Sequence, residues 1–218
     1  MKPMGESLGK YLSFLESLVR PDAEIRAYEE ARALDVARES ADARNVPAAA
    51  DIRAWCLRSK ISGDAADAVA GALAWRRKKG PRTSAVLFLL GRTGTRKTVA
   101  LSHAVVHHTQ GAHYTTAREL LRNREYEAKE AYHKARNTDL LALDEIGDEP
   151  EPSALVSLVL ERWTRGGLTI LAGNIEAEAL VDRYFKLPEG IKLADRLRGQ
   201  RKNGLRAHHS ISDKESSR

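Results

Sequence analysis

The chain has one cysteine, Cys56, and only two methionines and three phenylalanines in 218 residues. A lone cysteine excludes an internal disulfide and a cysteine-built zinc site, and it fits a reducing compartment. No apolar run reaches the roughly 18 residues that a membrane span requires. Nor is there the apolar core of a signal peptide, because Ser13, Glu16 and Ser17 break the stretch from Leu12 to Val19. A cytoplasmic protein with no membrane partner is therefore expected. Internal repeats and low-complexity tracts are also missing, apart from short alanine-rich patches.

What is present suits one buried α/β domain with a small appendage. Hydrophobic residues make up 42% of the chain and charged residues 30%. The net charge of +6 and the pI near 9.5 favour an anionic partner. The charge is uneven. Lys192, Arg196, Arg198, Arg201, Lys202 and Arg206 face only Asp195 in their stretch, and a second basic run comprises Arg76, Arg77, Lys78, Lys79 and Arg82. Solvated helix faces carry such runs as readily as nucleic-acid sites do.

Along the chain, Tyr11, Leu12, Leu15, Leu18 and Val19 recur at near-helical spacing until Pro21. Ala23 to Ala43 is rich in the good helix formers Ala, Glu and Arg, and Asn45-Val46-Pro47 breaks it. Two further helices are predicted over Ile52–Lys60 and Ala65–Lys79, the second ended by Gly80-Pro81. These segments divide the chain into a helical appendage at 1–47, a helical lead-in at 48–84 and a core at 85–218. From Ala85 the pattern changes. Ala85–Leu90, Leu140–Leu143 and Leu168–Ala172 are apolar runs of strand length, each ending in polar or glycine residues. Helical stretches separate them at Ala117–Arg136, Ser153–Thr164 and Glu176–Tyr184. Buried strands alternating with helices predict a parallel sheet flanked by helices, with ligands at the C-terminal strand ends.

The residues at those strand ends carry the chemistry. Gly91-Arg92-Thr93-Gly94-Thr95-Arg96-Lys97-Thr98 follows the first strand and opens a helix, close to the phosphate-loop pattern G-x-x-x-x-G-K-[ST]. Its backbone N–H groups and the helix N-terminus would face phosphates, Lys97 would reach the β and γ phosphates, and Thr98 would hold Mg²⁺. Arg96 stands where the pattern has glycine. A left-handed backbone there costs an arginine about 1–2 kcal/mol, and its side chain must turn away or compete with Lys97. Asp144 and Glu145 end the next apolar run. Asp144 would act on Mg²⁺ and Glu145 would activate the attacking water; a helix cap or solvated loop would also use such a pair. Asn174, past the third run, would position that water, or is a turn residue. Arg196 is a candidate arginine finger reaching a neighbouring subunit, with Arg198 as competitor and a solvated basic face as the plain alternative.

Taken in order, these segments resemble the DnaC/IstB-like family of AAA+ ATPases, over roughly Val86 to Arg218. The likeness runs through Gly91–Thr98, Tyr114–Leu121, the Asp144-Glu145-Ile146-Gly147 motif, Glu161-Arg162-Trp163, Thr169–Asn174 and Asp195-Arg196-Leu197. Arg44-Asn45-Val46-Pro47 is a fainter match upstream. The resemblance implies an α/β P-loop NTPase of the AAA+, RecA-like kind that binds ATP and Mg²⁺ and assembles into homo-oligomers. It also implies contact with DNA, single-stranded in the first instance, and a replicative helicase or a transposase as partner, with the appendage at 1–47 as the partner-binding region. Arg96 departs from the family and leaves a non-hydrolysing adaptor as the alternative. The segment after Arg196 is polar and short, with no separate helical lid evident. A different P-loop enzyme, such as a nucleotide kinase, lacks an obvious substrate-phosphate clamp here. His103 and His107 stand four apart on one helix without the glutamate of a metalloprotease motif, and read as ordinary helix residues. Trp55, Trp75 and Trp163 read as core or interface anchors.

Overall fold

The computed structural model describes residues 22–58, 60–122 and 126–211. The segment Tyr11–Val19, expected to be helical, lies outside them. The described residues fall into two units, one ending at Ala37 and one running from Arg38. The first helix is α1 (Asp22–Ala43). It is followed by α2 (Ala50–Cys56), α3 (Asp64–Lys79), β1 (Ala85–Leu90), α4 (Lys97–Val106) and β2 (Ala112–Thr116). Then come α5 (Ala117–Arg122), α6 (Tyr126–Asn137), β3 (Leu140–Asp144), α7 (Pro152–Thr164) and β4 (Leu168–Gly173). The last elements are α8 (Ala177–Leu180), a π-helical turn (Val181–Phe185), α9 (Pro188–Lys202) and β5 (His208–Ser210).

The five strands form one parallel sheet in the order β2-β3-β4-β1-β5. Every residue of β1, β3 and β4 is buried, as strands covered on both faces must be. On one face Val86, Phe88 and Leu90 of β1 join Leu141 and Leu143 of β3 in a core closed by Leu155, Val159, Tyr184 and Leu193. On the other face α4 packs against β2, β3 and β4, and α3 packs against α4 and β1. The edge strand β2 is partly covered, because the Tyr114 N–H donates to the carbonyl of Arg44 at 3.0 Å.

The sheet departs from the sequence expectations in several places. Of the helix expected over Ala117–Arg136, the described residues form α5 and α6, and residues 123–125 lie outside them. The helix expected at Ile52–Lys60 ends at Cys56. The stretch Glu176–Tyr184 holds only the short α8 before the backbone widens into the π-helical turn. The polar stretch around Arg196 is a 15-residue helix, started by Pro188 at its first turn.

Candidate functional site

Strand register places the site. β1 pairs with β4 so that Leu90 stands beside Gly173, which brings Gly91 and Asn174 out at neighbouring strand ends. β3 lies on the other side of β4, so Asp144 emerges next to them. This is where a doubly wound sheet opens a crevice.

From Leu90 the chain turns through Gly91–Arg96 into α4. Gly91 takes φ 148°, and a Cβ there would stand 2.9 Å from the carbonyl oxygen of Ile211. Arg96 is left-handed, with φ 58° and ψ 22°. The backbone thus takes a left-handed conformation that favours glycine, at a cost of about 1–2 kcal/mol for an arginine. Its side chain turns away from the loop. The guanidinium carbon lies 4.6 Å from the centre of the Trp55 ring on α2, and that of Arg58 lies 4.0 Å from the same ring. Arg96 is exposed, so such a cation–π contact contributes about 0.5–1 kcal/mol and offsets part of the backbone strain.

Lys97 is buried at the start of α4. Its ammonium donates to the carbonyls of Gly91 at 2.7 Å and Arg92 at 2.8 Å, to Thr95 Oγ1 at 3.0 Å and to Asn174 Oδ1 at 3.0 Å. Four oxygens compete for three protons. Burial lowers the lysine pKa from its ordinary value, and the charge of Asp144 works against that. Thr95 is buried and donates to the Arg92 carbonyl at 2.8 Å, which closes the loop on itself. Arg92, Thr93 and Gly94 form its exposed outer arc.

The Thr98 hydroxyl donates to Asp144 Oδ2 at 2.6 Å. Tyr114 on β2 donates to the same oxygen at 2.8 Å, and Asp144 Oδ1 accepts the Glu145 N–H at 2.9 Å. Burial first, and then the neighbouring Asp144 charge, push the Tyr114 hydroxyl pKa far up, so it stays a donor. A hydroxyl and a carboxylate 2.6 Å apart at the foot of a phosphate-type loop are hard oxygen ligands of the kind Mg²⁺ takes, and the residues fit that ion. Glu145 is exposed and left-handed at φ 57°. Asn174 is exposed, with its amide oxygen toward Lys97 and its nitrogen donating to Thr93 Oγ1 at 3.2 Å.

The expected residues divide into two groups. Gly91 to Thr98, Asp144, Glu145 and Asn174 stand together at three strand ends. Arg196 does not join them. It reaches the Leu160 carbonyl at 3.3 Å and lines a cavity with Trp75, Thr83, Ser84 and Trp163, before the start of β1. A strand of this length spans about 20 Å, so within one chain Arg196 lies at the far end of β1 from Lys97.

Three contributors escaped the sequence reading. Tyr114 holds Asp144 from the edge strand. Trp55 receives the Arg96 side chain. Glu149, fully buried, accepts the Gly147 N–H at 2.8 Å, the Tyr184 hydroxyl at 2.9 Å and Arg183 Nε at 2.9 Å, which fixes the loop that follows Glu145. The only hint in the sequence was Asp148-Glu149 within an acidic loop, a pattern that ordinarily marks solvent exposure. His103 and His107 stack at 4.4 Å, and their Nε2 groups meet the carbonyls of Arg58 and Cys56, each at 3.1 Å.

No family model and no curated protein matches the sequence. Solved structures do match the fold. The crystal structure of DnaI aligns with a TM-score of 0.52 at 18% identity, over 70% of this chain and 88% of that one. A DNA replication initiation factor aligns with a TM-score of 0.50 at 19% identity, over 71% of this chain but only 48% of the other. At these identities the likeness is one of fold, and the fold is the α/β P-loop NTPase expected from the sequence.

Proposed function

We propose that the chain binds ATP with Mg²⁺ in this crevice, hydrolyses it, and serves DNA replication as a helicase loader of the DnaC/IstB type. One observation carries the reading: at the start of α4 Lys97 bonds Asn174 and the adjacent Thr98 bonds Asp144, so residues from three strand ends meet there. Lys97 exchanges loop carbonyls for β- and γ-phosphate oxygens when the triphosphate enters, a swap its surplus of acceptors makes cheap. Thr98 and Asp144 hold Mg²⁺, which supplies positive charge to the phosphates. Tyr114 keeps Asp144 aimed at that position. Glu145 orients and deprotonates the attacking water, and Asn174 steadies it from the neighbouring strand end. Arg196, remote from its own crevice, serves the ATP of a neighbouring copy in a homo-oligomer. The two solved structures named above are a DnaI and a replication initiation factor, which favours replication over transposition. A replicative helicase and single-stranded DNA are then the partners, the DNA held by the basic C-terminal stretch, in the cytoplasm.

A second reading, a non-hydrolysing adaptor, draws on Arg96 in the left-handed position of the missing glycine. It predicts partner or DNA binding indifferent to ATP. Steady-state assays with Mg²⁺, ATP and single-stranded DNA separate the two. Turnover should fall about 100-fold or more in Glu145→Gln and should be lost in Lys97→Ala. A parent chain that turns over ATP no faster than these variants, with DNA and helicase present, refutes hydrolysis.

A further inference from the structure

We propose that Trp55 is a positioning residue for the phosphate loop, acting through Arg96. The pair ties the loop to α2 and keeps the arginine out of the cradle that Lys97 occupies. This deepens the nucleotide reading above and rests on it for its consequence, though not for its geometry.

The observations are independent of one another. Arg96 is the residue before α4, left-handed, and makes no side-chain capping hydrogen bond there. Its guanidinium lies against the Trp55 ring at 4.6 Å. Trp55, Gly94, Thr95 and Arg96 line one cavity of about 300 Å³ on the flank of the loop. The platform is itself fixed. Arg53 on α2 donates to Asp42 Oδ1 at 2.7 Å and to the carbonyls of Val46 and Pro47 at 2.8 and 2.9 Å. His103 and His107, on α4, bind the carbonyls of Arg58 and Cys56. The segment carrying Trp55 is thus clamped along α4, and Arg96 closes the clamp at the end that faces the phosphate loop.

The chemistry follows. A guanidinium beside a loop of backbone N–H groups is drawn to the same anions as Lys97. An indole face within reach gives it another place to sit, and the side chain's hold on Trp55 favours the left-handed backbone that the loop needs. Where the loop has glycine at this position no such partner is required. Trp55 therefore matters to the loop chiefly because residue 96 is an arginine.

A four-chain cycle tests this: the parent, Trp55→Leu, Arg96→Gly and the double variant, each followed by thermal melting and by ATP titration in a calorimeter. Trp55→Leu should weaken ATP binding about five-fold in the parent, equivalent to about 1 kcal/mol. In the Arg96→Gly chain the same change should have less than half that effect, because Arg58 is then the only one of the two arginines left to lose the ring. Trp55→Phe, which keeps an aromatic face, should restore most of the affinity. Equal losses in both backgrounds would make Trp55 an ordinary packing residue and overturn the proposal. If no chain binds ATP, the nucleotide reading fails, and the melting temperatures decide the pair: unequal losses uphold it and equal losses overturn it.

Discussion

Two buried cations stand at opposite ends of the same parallel sheet, and they differ in what they hold. Arg162, fully buried at the end of α7, lies where the strands begin. It donates to Thr169 Oγ1 at 2.9 Å, and to the carbonyls of Ala135 at 2.6 Å, Thr138 at 2.8 Å and Leu168 at 2.7 Å. Those acceptors belong to α6 and to the starts of β3 and β4, elements the core already fixes. Beside it Arg76 grips both oxygens of Asp139, at 2.6 and 2.5 Å. Lys97, where the strands end, holds two loop carbonyls, a hydroxyl and an exposed amide, each of which water or a phosphate can replace. Burial alone therefore does not distinguish a functional cation from a structural one. The distinction lies in whether its partners can let go.

The largest expected effect tests that contrast directly. Arg162→Met leaves several buried carbonyls unpaired and should cost about 3–5 kcal/mol, measured by urea unfolding. Lys97→Met removes a partly desolvated charge from exchangeable partners. It should lower stability by less than about 1.5 kcal/mol, because the partners left behind can turn to water, while abolishing ATP binding. Similar unfolding midpoints for the two variants would erase the comparison.

The next effect reads the fixed charge at the lower end through pH. His113, buried on β2, has its pKa lowered to about 4 by burial first, then by the charges of Lys134 and Arg162. The folded state thus prefers the neutral ring. Above the ordinary histidine pKa, near 6.5, both states are neutral and the group contributes nothing to the pH dependence. As pH falls from about 6.5 toward 4 the unfolded chain takes up a proton that the folded chain refuses, so stability declines, by about 3 kcal/mol in all. His113→Leu should flatten that slope in chemical unfolding between those pH values. An unchanged slope would mean that the ring does not titrate as its surroundings dictate.

Much of this architecture was legible because it rests on local rules. β1, β3 and β4 are runs of Leu, Ile, Val and Ala buried on both faces, and periodicity finds such strands. Lys97, Thr98, Asp144 and Asn174 fall at short fixed offsets from them, so knowing the strands was enough to bring them together. β2 was harder to see. Its Ala-His-Tyr-Thr-Thr sequence is polar, and its buried His113, Tyr114 and Thr115 make sense only beside β3 and the covering Arg44 carbonyl. β5 is three polar residues with no apolar signal at all. Trp55 stands 41 positions before Arg96 in the sequence, and no spacing rule links an aromatic on one helix to a loop that distant. The same holds for Glu149, whose burial depends on Arg183 and Tyr184 arriving from the π-helical turn.

The smallest expected effect lies at the upper end and sharpens the idea of exchangeable partners. Tyr114 and Thr98 both donate to one oxygen of Asp144. Thr98 belongs to the phosphate loop, and its hydroxyl is free to swing to a bound cation. Tyr114 belongs to the sheet and stays a donor whatever the loop does. Tyr114→Phe keeps the ring and its packing but releases the carboxylate from its fixed donor. Stability should fall by about 1 kcal/mol. The Mg²⁺ concentration needed for half-maximal turnover should rise two- to five-fold, about 0.4–1 kcal/mol, with ATP affinity in the absence of Mg²⁺ little changed. If ATP affinity without Mg²⁺ drops as much as the Mg²⁺ dependence shifts, Tyr114 supports the sheet generally, and the carboxylate has no dedicated anchor.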